Sequence, residues 1–416
     1  MTVPGSAEAP PAAKASSYAL FRERAFALFF TMRFAWNMSY NMLGVVVGWQ
    51  VYEMTGSAFH LGLIGLVQFL PPLLLLLFAG QVADRFDRRR VLRICFTVEA
   101  AVPIGFIAVS LADSPPLVAF YLLLFVGAVG RTFSGPALQA ILPSLVGHEV
   151  FGRAVAFSTS ALKLSQLLGP SLGGLIIMAN GTAGYAACFV LLALAATASY
   201  LLPTPRFGGS AKREANWGTV FAGFKLIRDN PVMLGLMSLD LMGVFFGGVA
   251  ALLPIFAKDV LEIGPWGFGL LRSAPAVGAL LMAVVLARWP VTTGAGRKFF
   301  LGVAVYGLST VVFALSENVA LSFACMLTLG AGDMLSQVLR QTIIQLRTPD
   351  DMRGRLAAVN GLSVNVGSQL GQFESGLVAV WLGAVGSALF GGIAVLAIVA
   401  IWIWKFPDIR RIEKPE

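Results

Sequence analysis

The amino-acid sequence predicts an all-α polytopic membrane protein with twelve transmembrane helices in two pseudo-symmetric six-helix halves. Composition is the first observation. The chain is 57% hydrophobic and 12% charged, with a mean hydropathy of +0.80, whereas soluble domains carry about 25% charged residues. That much apolar surface needs lipid as its solvent. The second observation is a count of twelve apolar stretches, each bounded by charges, glycine or proline, at about 20 residues per crossing. The third is a single long connection, 204–231, that divides the stretches six and six.

In chain order the spans fall near 25–53, 59–82, 91–112, 116–142, 152–178, 183–203, 232–257, 264–288, 297–315, 319–346, 354–381 and 383–406. Residues 1–24, rich in Ala, Pro and Ser, read as a disordered tail without the apolar core of a signal peptide. Residues 25–203 form the first half and 232–406 the second, and 407–416 close the chain as a second tail. The linker places Trp217, Val220, Phe221 and Phe224 at helical spacing beside Lys225 and Arg228, the pattern of an amphipathic helix in the membrane interface. A helix packed against the bundle fits the same spacing.

Basic residues set the orientation. Loops on one side hold Arg22, Arg24, Arg85, Arg88–Arg90, Arg153, Lys212, Arg213, Arg297, Lys298 and Arg347, while loops on the other contain only Lys258. By the positive-inside rule both termini are expected in the cytoplasm of an inner (plasma) membrane protein. The +9 net charge is therefore topology, and no nucleic-acid partner is expected. Cys95, Cys188 and Cys325 are isolated within apolar spans, and His60 and His148 stand alone, so neither a disulfide framework nor a metal site is suggested. No Gly-x-x-x-x-Gly-Lys-Ser/Thr loop and no nucleophile–base pair is present. An enzyme is not expected, nor a cofactor.

The halves read as repeats. A shift of 202 lays Gly152-Arg153 on Gly354-Arg355 and Leu168-Gly169 on Leu370-Gly371, and a shift of 207 lays Phe59, Gly62 and Leu63 on Trp266, Gly269 and Leu270. Parallel repeats of this kind place a substrate site between the halves near the midplane.

Residues 80–90, GQVADRFDRRR, lie between the second and third spans. Gly80, Asp84, Arg85, Arg88 and Arg89 there resemble the cytoplasmic signature of the major facilitator superfamily. Gly169, Pro170, Gly173 and Gly174 end the fifth span and are similar to that superfamily's antiporter motif, whose two upstream glycines are Ala156 and Ser165 here. Arg131 stands four residues before Gly135, as in the basic motif of the fourth span of such exporters, although Ser134 replaces the usual glutamine. With Trp49–Glu53 and Asp87, the chain resembles the drug–proton antiporter branch that holds the enterobactin exporter and macrolide efflux proteins. The resemblance implies proton-coupled export by alternating access, with Asp84 and its arginines latching the cytoplasmic start of the eleventh helix. Thr348-Pro349-Asp350-Asp351 offers the matching helix start, and Asp350 or Asp351 is the expected partner of Arg85 or Arg88.

A charge inside the bilayer costs about 2.5–3.5 kcal/mol on insertion scales, so each one needs a reason. Arg33, Glu99, Arg131, Lys163, Asp240, Arg272, Asp333 and Glu374 fall within apolar spans. The repeat offsets lay Arg33 on Asp240 and Arg131 on Asp333, which suggests bridges between the halves that form in one state and part in the other. The alternative is that each charge is neutralised within its own half. Asp240, Asp333, Glu374 and Arg131 are the candidates for proton coupling. Candidate cavity residues are Arg33, Asn37, Tyr40 and Asn41 on one face of the first span, Gln68, Lys163 and Gln166, and Asn365 and Gln369 in the eleventh. The expected function is proton-coupled secondary export of an amphipathic small molecule, either a drug or a siderophore, by a monomer. An importer or facilitator on the same fold, or a membrane sensor that does not transport, are the alternatives.

Overall fold

The computed structural model describes residues 19–204, 225–348 and 350–413. The N-terminal tail to residue 18, most of the linker with its expected amphipathic helix (Trp217, Val220, Phe221 and Phe224), and Pro349 lie outside the described residues. The spanning helices are α1 (Arg24–Thr55), α2 (Ala58–Arg85), α3 (Arg88–Ser110), α4 (Leu117–Leu145), α5 (His148–Ala179), α6 (Gly181–Leu201), α7 (Pro231–Phe246), α8 (Gly264–Arg288), α9 (Ala295–Leu315) and α10 (Val319–Leu346). The continuous stretch Asp350–Lys405 is two helices, α11 (350–382) and α12 (384–405), because Gly383 is not helical (φ 71°, ψ 172°).

Among the described residues, ten helical stretches are long and apolar enough to cross a membrane, the last of them running from Val359 in α11 through α12. The remaining spanning helix, α1, is 32 residues long, and Asn37, Asn41 and Gln50 lower its hydropathy. Several helix starts carry the residue expected of a cap. Asp87 accepts from the Arg89 N–H at 3.0 Å, Asn180 from Thr182 at 3.0 Å and Asn318 from Leu321 at 3.0 Å. Asn230 accepts from Val232 and Met233 with Pro231 at the first helical position. Such caps contribute about 1 kcal/mol each.

The sequence reads span 7 as a single helix over 232–257, and here the structure differs. Helix α7 stops at Phe246 and continues as a 3₁₀ turn (Gly248–Ala251), one α turn (Leu253–Ile255) and a π turn (Phe256–Val260). Two contacts lie at the break, and Pro254, which lacks a backbone N–H, falls in the irregular stretch. The Tyr306 hydroxyl donates to the Gly247 carbonyl at 2.8 Å, and Gly248 lies so close to the Gly371 and Ser375 region of α11 that no side chain would fit.

Buried apolar residues form three clusters. One joins both halves at the end of the bundle remote from the termini, combining Val45–Val47, Trp49, Phe106, Phe120 and Tyr185 with Val249, Leu252, Phe256, Phe268 and Phe313. The other two lie at the end that bears the termini, and each belongs to one half. Phe26, Phe29, Phe96, Leu138 and Ala195 build the first; Met233, Phe299, Leu339, Val395 and Ile409 build the second. The C-terminal segment is tied into that second cluster, with the Ala295 and Gly296 N–H groups donating to Glu413 and Ile412 carbonyls.

Cross-half contacts follow the same pattern. A Cβ on Gly62 of α2 would meet the Gly376 Cα of α11 at 2.9 Å. Gly174 of α5 meets Gly269 of α8, where a Cβ would lie 3.0 Å from the Gly269 Cα. Paired glycines let two backbones approach as they do in other membrane helices. Beside these crossings Ser171 donates to Ser273 at 2.8 Å, Trp49 stacks on Phe268 at 6.1 Å, and the Tyr52 hydroxyl is hydrogen-bonded to Asp259. The halves are therefore joined at the far end and separately packed at the terminal end. A bulky residue at either crossing has to part the helices. Gly376→Val is expected to disfavour the joined arrangement by about 1–3 kcal/mol, the usual cost of overpacking. Faster labelling of a cysteine placed at Leu61 reads that shift, and an unchanged rate contradicts it.

Candidate functional site

Two adjoining pockets open between the halves. The first is lined by Tyr40, Asn41, Gly44, Gly48, Leu61, Ile64 and Gln68 of α1 and α2, and by Ala251, Pro254, Arg272, Gln369 and Gln372 from the second half. The second shares Tyr40, Gln68 and Gln369 with it, and adds Phe69, Pro72, Leu73, Ala128, Arg131, Asn365 and Val366. The polar face expected on α1 thus meets the amide face expected on α11 at Tyr40, Asn41, Gln68, Asn365 and Gln369. Neither lining contains a carboxylate.

Arg131 sits with its guanidinium 3.1 Å from the centre of the Tyr40 ring and 5.4 Å from that of Trp36. A desolvated cation–π contact of this kind is worth about 2 kcal/mol. Behind Trp36 lies Glu99, only 4% exposed. Its carboxylate accepts from the Trp36 indole N–H at 2.7 Å and from the Ser134 hydroxyl at 2.9 Å. Glu99 is also the carboxylate in electrostatic reach of Arg131. Ser134, where the resembled motif has glutamine, therefore helps hold the counter-ion of Arg131. Glu99 and Trp36 are outside the expected site residues; the available signal was the charge of Glu99 within an apolar span.

A third pocket lies inside the second half, lined by Asp240, Gly243, Val244, Val303, Tyr306, Asp333 and Ser336. Arg340 of α10 forms an ion pair with Asp240 at 3.0 Å, is itself 1% exposed, and hydrogen-bonds Asn360 through its other terminal nitrogen. Asp333 lies in electrostatic reach of Asp240, Arg340 and Lys163, the last from α5 of the opposite half. Asp240 therefore holds the ion pair with Arg340, and Asp333 lies in the electrostatic reach of that pair and of a lysine from the other half.

Several expected placements differ. The offset pairs Arg33–Asp240 and Arg131–Asp333 are not bridges here: Asp240 pairs with Arg340, and Arg131 with Tyr40 and Glu99. Repeat offsets fix depth along a helix and not the face that is presented. Asn37 is 7% exposed and donates to the Arg33 carbonyl, one turn below the cavity. Arg33, Lys163 and Gln166 line none of the three pockets, and neither does Glu374, whose carboxylate accepts from Ser375 on its own helix at 3.3 Å.

At the terminal end Asp84 and Arg85 are exposed, and Gly80 is half-buried. Arg88 donates to the Ala140 carbonyl of its own half at 3.0 Å, and Arg89 pairs with Asp87 at 3.3 Å. Partial burial opposes charge on Asp87, yet the backbone N–H and guanidinium of Arg89, with Arg90 nearby, hold its carboxyl below the usual range. The expected partners Asp350 and Asp351 have side chains outside the described residues. Gly169 and Gly173 of the antiporter motif pack on α1, where a Cβ would meet Asn41 at 2.8 Å and Met42 at 3.2 Å; Gly174 and the Pro170 carbonyl pack on Gly269 of α8.

Twelve spanning helices in two halves around a polar central cavity define a transporter of the major facilitator fold. Residues 15–414 match the transmembrane secretion effector family of that superfamily, and the chain belongs to it. It is 28% identical over 398 residues to the enterobactin exporter EntS of Escherichia coli O1:K1, covering 93% of both chains. Among solved structures it is similar to a peptide transporter POT (TM-score 0.73, 13% identity, 97% of this chain and 100% of that one) and to a bacterial homologue of the human lysosomal transporter Spinster (TM-score 0.70, 14% identity, 96% and 97%). The protein is a multi-pass membrane transporter and not an enzyme.

The pairing inside the second half has a direct consequence for stability. Arg340→Met leaves Asp240 without its ion-pair partner, and removing one partner of a buried pair costs about 3–5 kcal/mol. Thermal unfolding in detergent at neutral pH is expected to show that loss, with partial rescue in the Arg340→Met/Asp240→Asn double variant. A single variant as stable as the parent contradicts the pairing.

Proposed function

We propose that the protein is a proton-coupled exporter of a siderophore-type small molecule, working by alternating access in the inner (plasma) membrane as a monomer. The observation that carries the reading is the sorting of charge. The cavity between the halves is lined by Arg131, Arg272 and amides, and the acids Asp240 and Asp333 sit apart, in a pocket between α7, α9 and α10. A cation-lined cavity favours an anionic cargo over a cationic drug. Similarity to an enterobactin exporter supports the same choice and supports export as the direction.

The basic loops support a cytoplasmic terminal end. The end at which the halves pack separately then faces the cytoplasm, where an exporter loads. Proton coupling has a physical basis in the acid pocket. With Lys163 near, two carboxylates face two cations; when the halves rock and Lys163 withdraws, Arg340 alone remains against two acids. One proton restores neutrality at that moment, and an uncompensated charge in a membrane interior is what the chain must avoid. Movement of one half against the other thereby changes the demand for a proton in the second half, which ties the two events together. The terminal-end cluster of Gly80, Asp84, Arg85, Arg88 and Arg89 closes the cytoplasmic side against the start of α11 in the opposite state.

Asp240→Asn and Asp333→Asn test the coupling. In proteoliposomes carrying a pH dye, both variants are expected to lose substrate-driven proton flux. Full proton-dependent export in both contradicts it, and substrate moving only inward contradicts the exporter reading.

A further inference from the structure

The three arginines at the core of the bundle are not equivalent. Arg340 has Asp240, and Arg131 has Glu99 behind Trp36. Arg272 of α8 has neither. No ion pair or hydrogen bond joins its guanidinium to a described residue, and the neighbour in its electrostatic reach is the Tyr40 ring system of the opposite half. It lines the pocket between the halves directly beside Gly44 of α1. A Cβ at Gly44 would lie 3.4 Å from a terminal guanidinium nitrogen of Arg272, so the glycine leaves the head group its room. An arginine is always charged and is costly in a membrane interior without a counter-ion.

A second group in the same pocket also lacks a partner. The Gln369 Oε1 is buried without a hydrogen-bond donor, although the residue lines both pockets of the cavity. A buried acceptor left unsatisfied costs about 1–3 kcal/mol. The pocket thus presents one guanidinium without an anion, and its Gln369 wall contains one amide oxygen buried without a donor. Leu61, Ile64, Ala251 and Pro254 supply apolar walls between them.

We propose that Arg272 is the anion anchor of the transport site, and that the cargo is an anion with an apolar body and a hydroxyl, which donates to Gln369. The proposal rests on the exporter reading and adds the chemistry of its ligand. Because Arg272 belongs to the second half and Tyr40, Asn41 and Gln68 to the first, a ligand held by Arg272 touches both halves at once. It can therefore stabilise one relative arrangement of them over another. Arg131, already shielded by Tyr40 and matched by Glu99, does not hold the anion.

Salicylate and salicylamide share ring and hydroxyl and differ in charge, which makes them suitable probes for binding to the purified protein in nanodiscs. The native chain is expected to prefer salicylate by about tenfold, equivalent to ~1.4 kcal/mol. Arg272→Gln abolishes that preference while salicylamide binding persists, and Arg272→Lys retains part of it. Benzoate, lacking the hydroxyl, binds more weakly than salicylate to the native chain and equally with it to Gln369→Leu. If Arg272→Gln does not fold, Gly44→Val displaces the guanidinium without removing the charge and is expected to lose the same preference. A native chain that binds neither probe, or a preference that survives Arg272→Gln or Gly44→Val, overturns the proposal. These are equilibrium measurements without direction: if they hold and vesicles show no export, the exporter reading fails alone.

Discussion

A charge carried into hydrocarbon must find its partner inside the protein, and the choice of partners organises this bundle. Glu99 matches Arg131 within the first half, held by Trp36 and Ser134. Arg340 matches Asp240 within the second. These pairings neutralise Arg131 and Arg340 within their own halves. Among the charges without such a pair, two lie where the halves meet: Arg272 in the cavity, and Lys163 in reach of Asp333. Residual charge at a moving interface is the part of a transporter that ligands and protons are able to influence.

The mechanical counterpart is the close approach at two glycine crossings, Gly62 with Gly376 and Gly174 with Gly269. They join α2 to α11 and α5 to α8, the helix pairs that span the two halves. Around them a single apolar cluster is shared, whereas the terminal ends have clusters of their own. The break in α7 lies next to this joint. Tyr306 touches the acid pocket and hydrogen-bonds the Gly247 carbonyl at the break, so the acids and the irregular turn are one side chain apart.

Much of the fold was legible in the sequence because hydropathy and charge act locally. The ends of α8, α9 and α10 fall within two residues of the expected spans. Tyr40, Asn41, Gln68, Asn365 and Gln369 were recognisable as cavity residues because a polar stripe along a membrane helix is conspicuous. Partner choice was not legible. The offsets that lay Arg131 on Asp333 report equal depth, while the pairing depends on which face each helix turns toward its neighbour. Arg340 passed unnoticed although it stands seven residues after Asp333, two turns along the same face of α10. The α7 break escaped for a similar reason: Gly247-Gly248 reads as ordinary close packing until the Tyr306 hydroxyl and α11 are placed beside it.

The central claim is that an anion bound at Arg272 shifts how the two halves meet. Spin labels at Phe86 and Leu346, both exposed at the terminal end, and at Leu111 and Leu315, both exposed at the far end, report the two separations independently. On adding salicylate to the labelled protein in nanodiscs, pulsed electron–electron distances are predicted to shorten at the terminal end and lengthen at the far end. The same labels in Arg272→Gln are predicted to stay where they are. Distances that ignore salicylate in the native chain, or that move equally in the variant, would contradict the account.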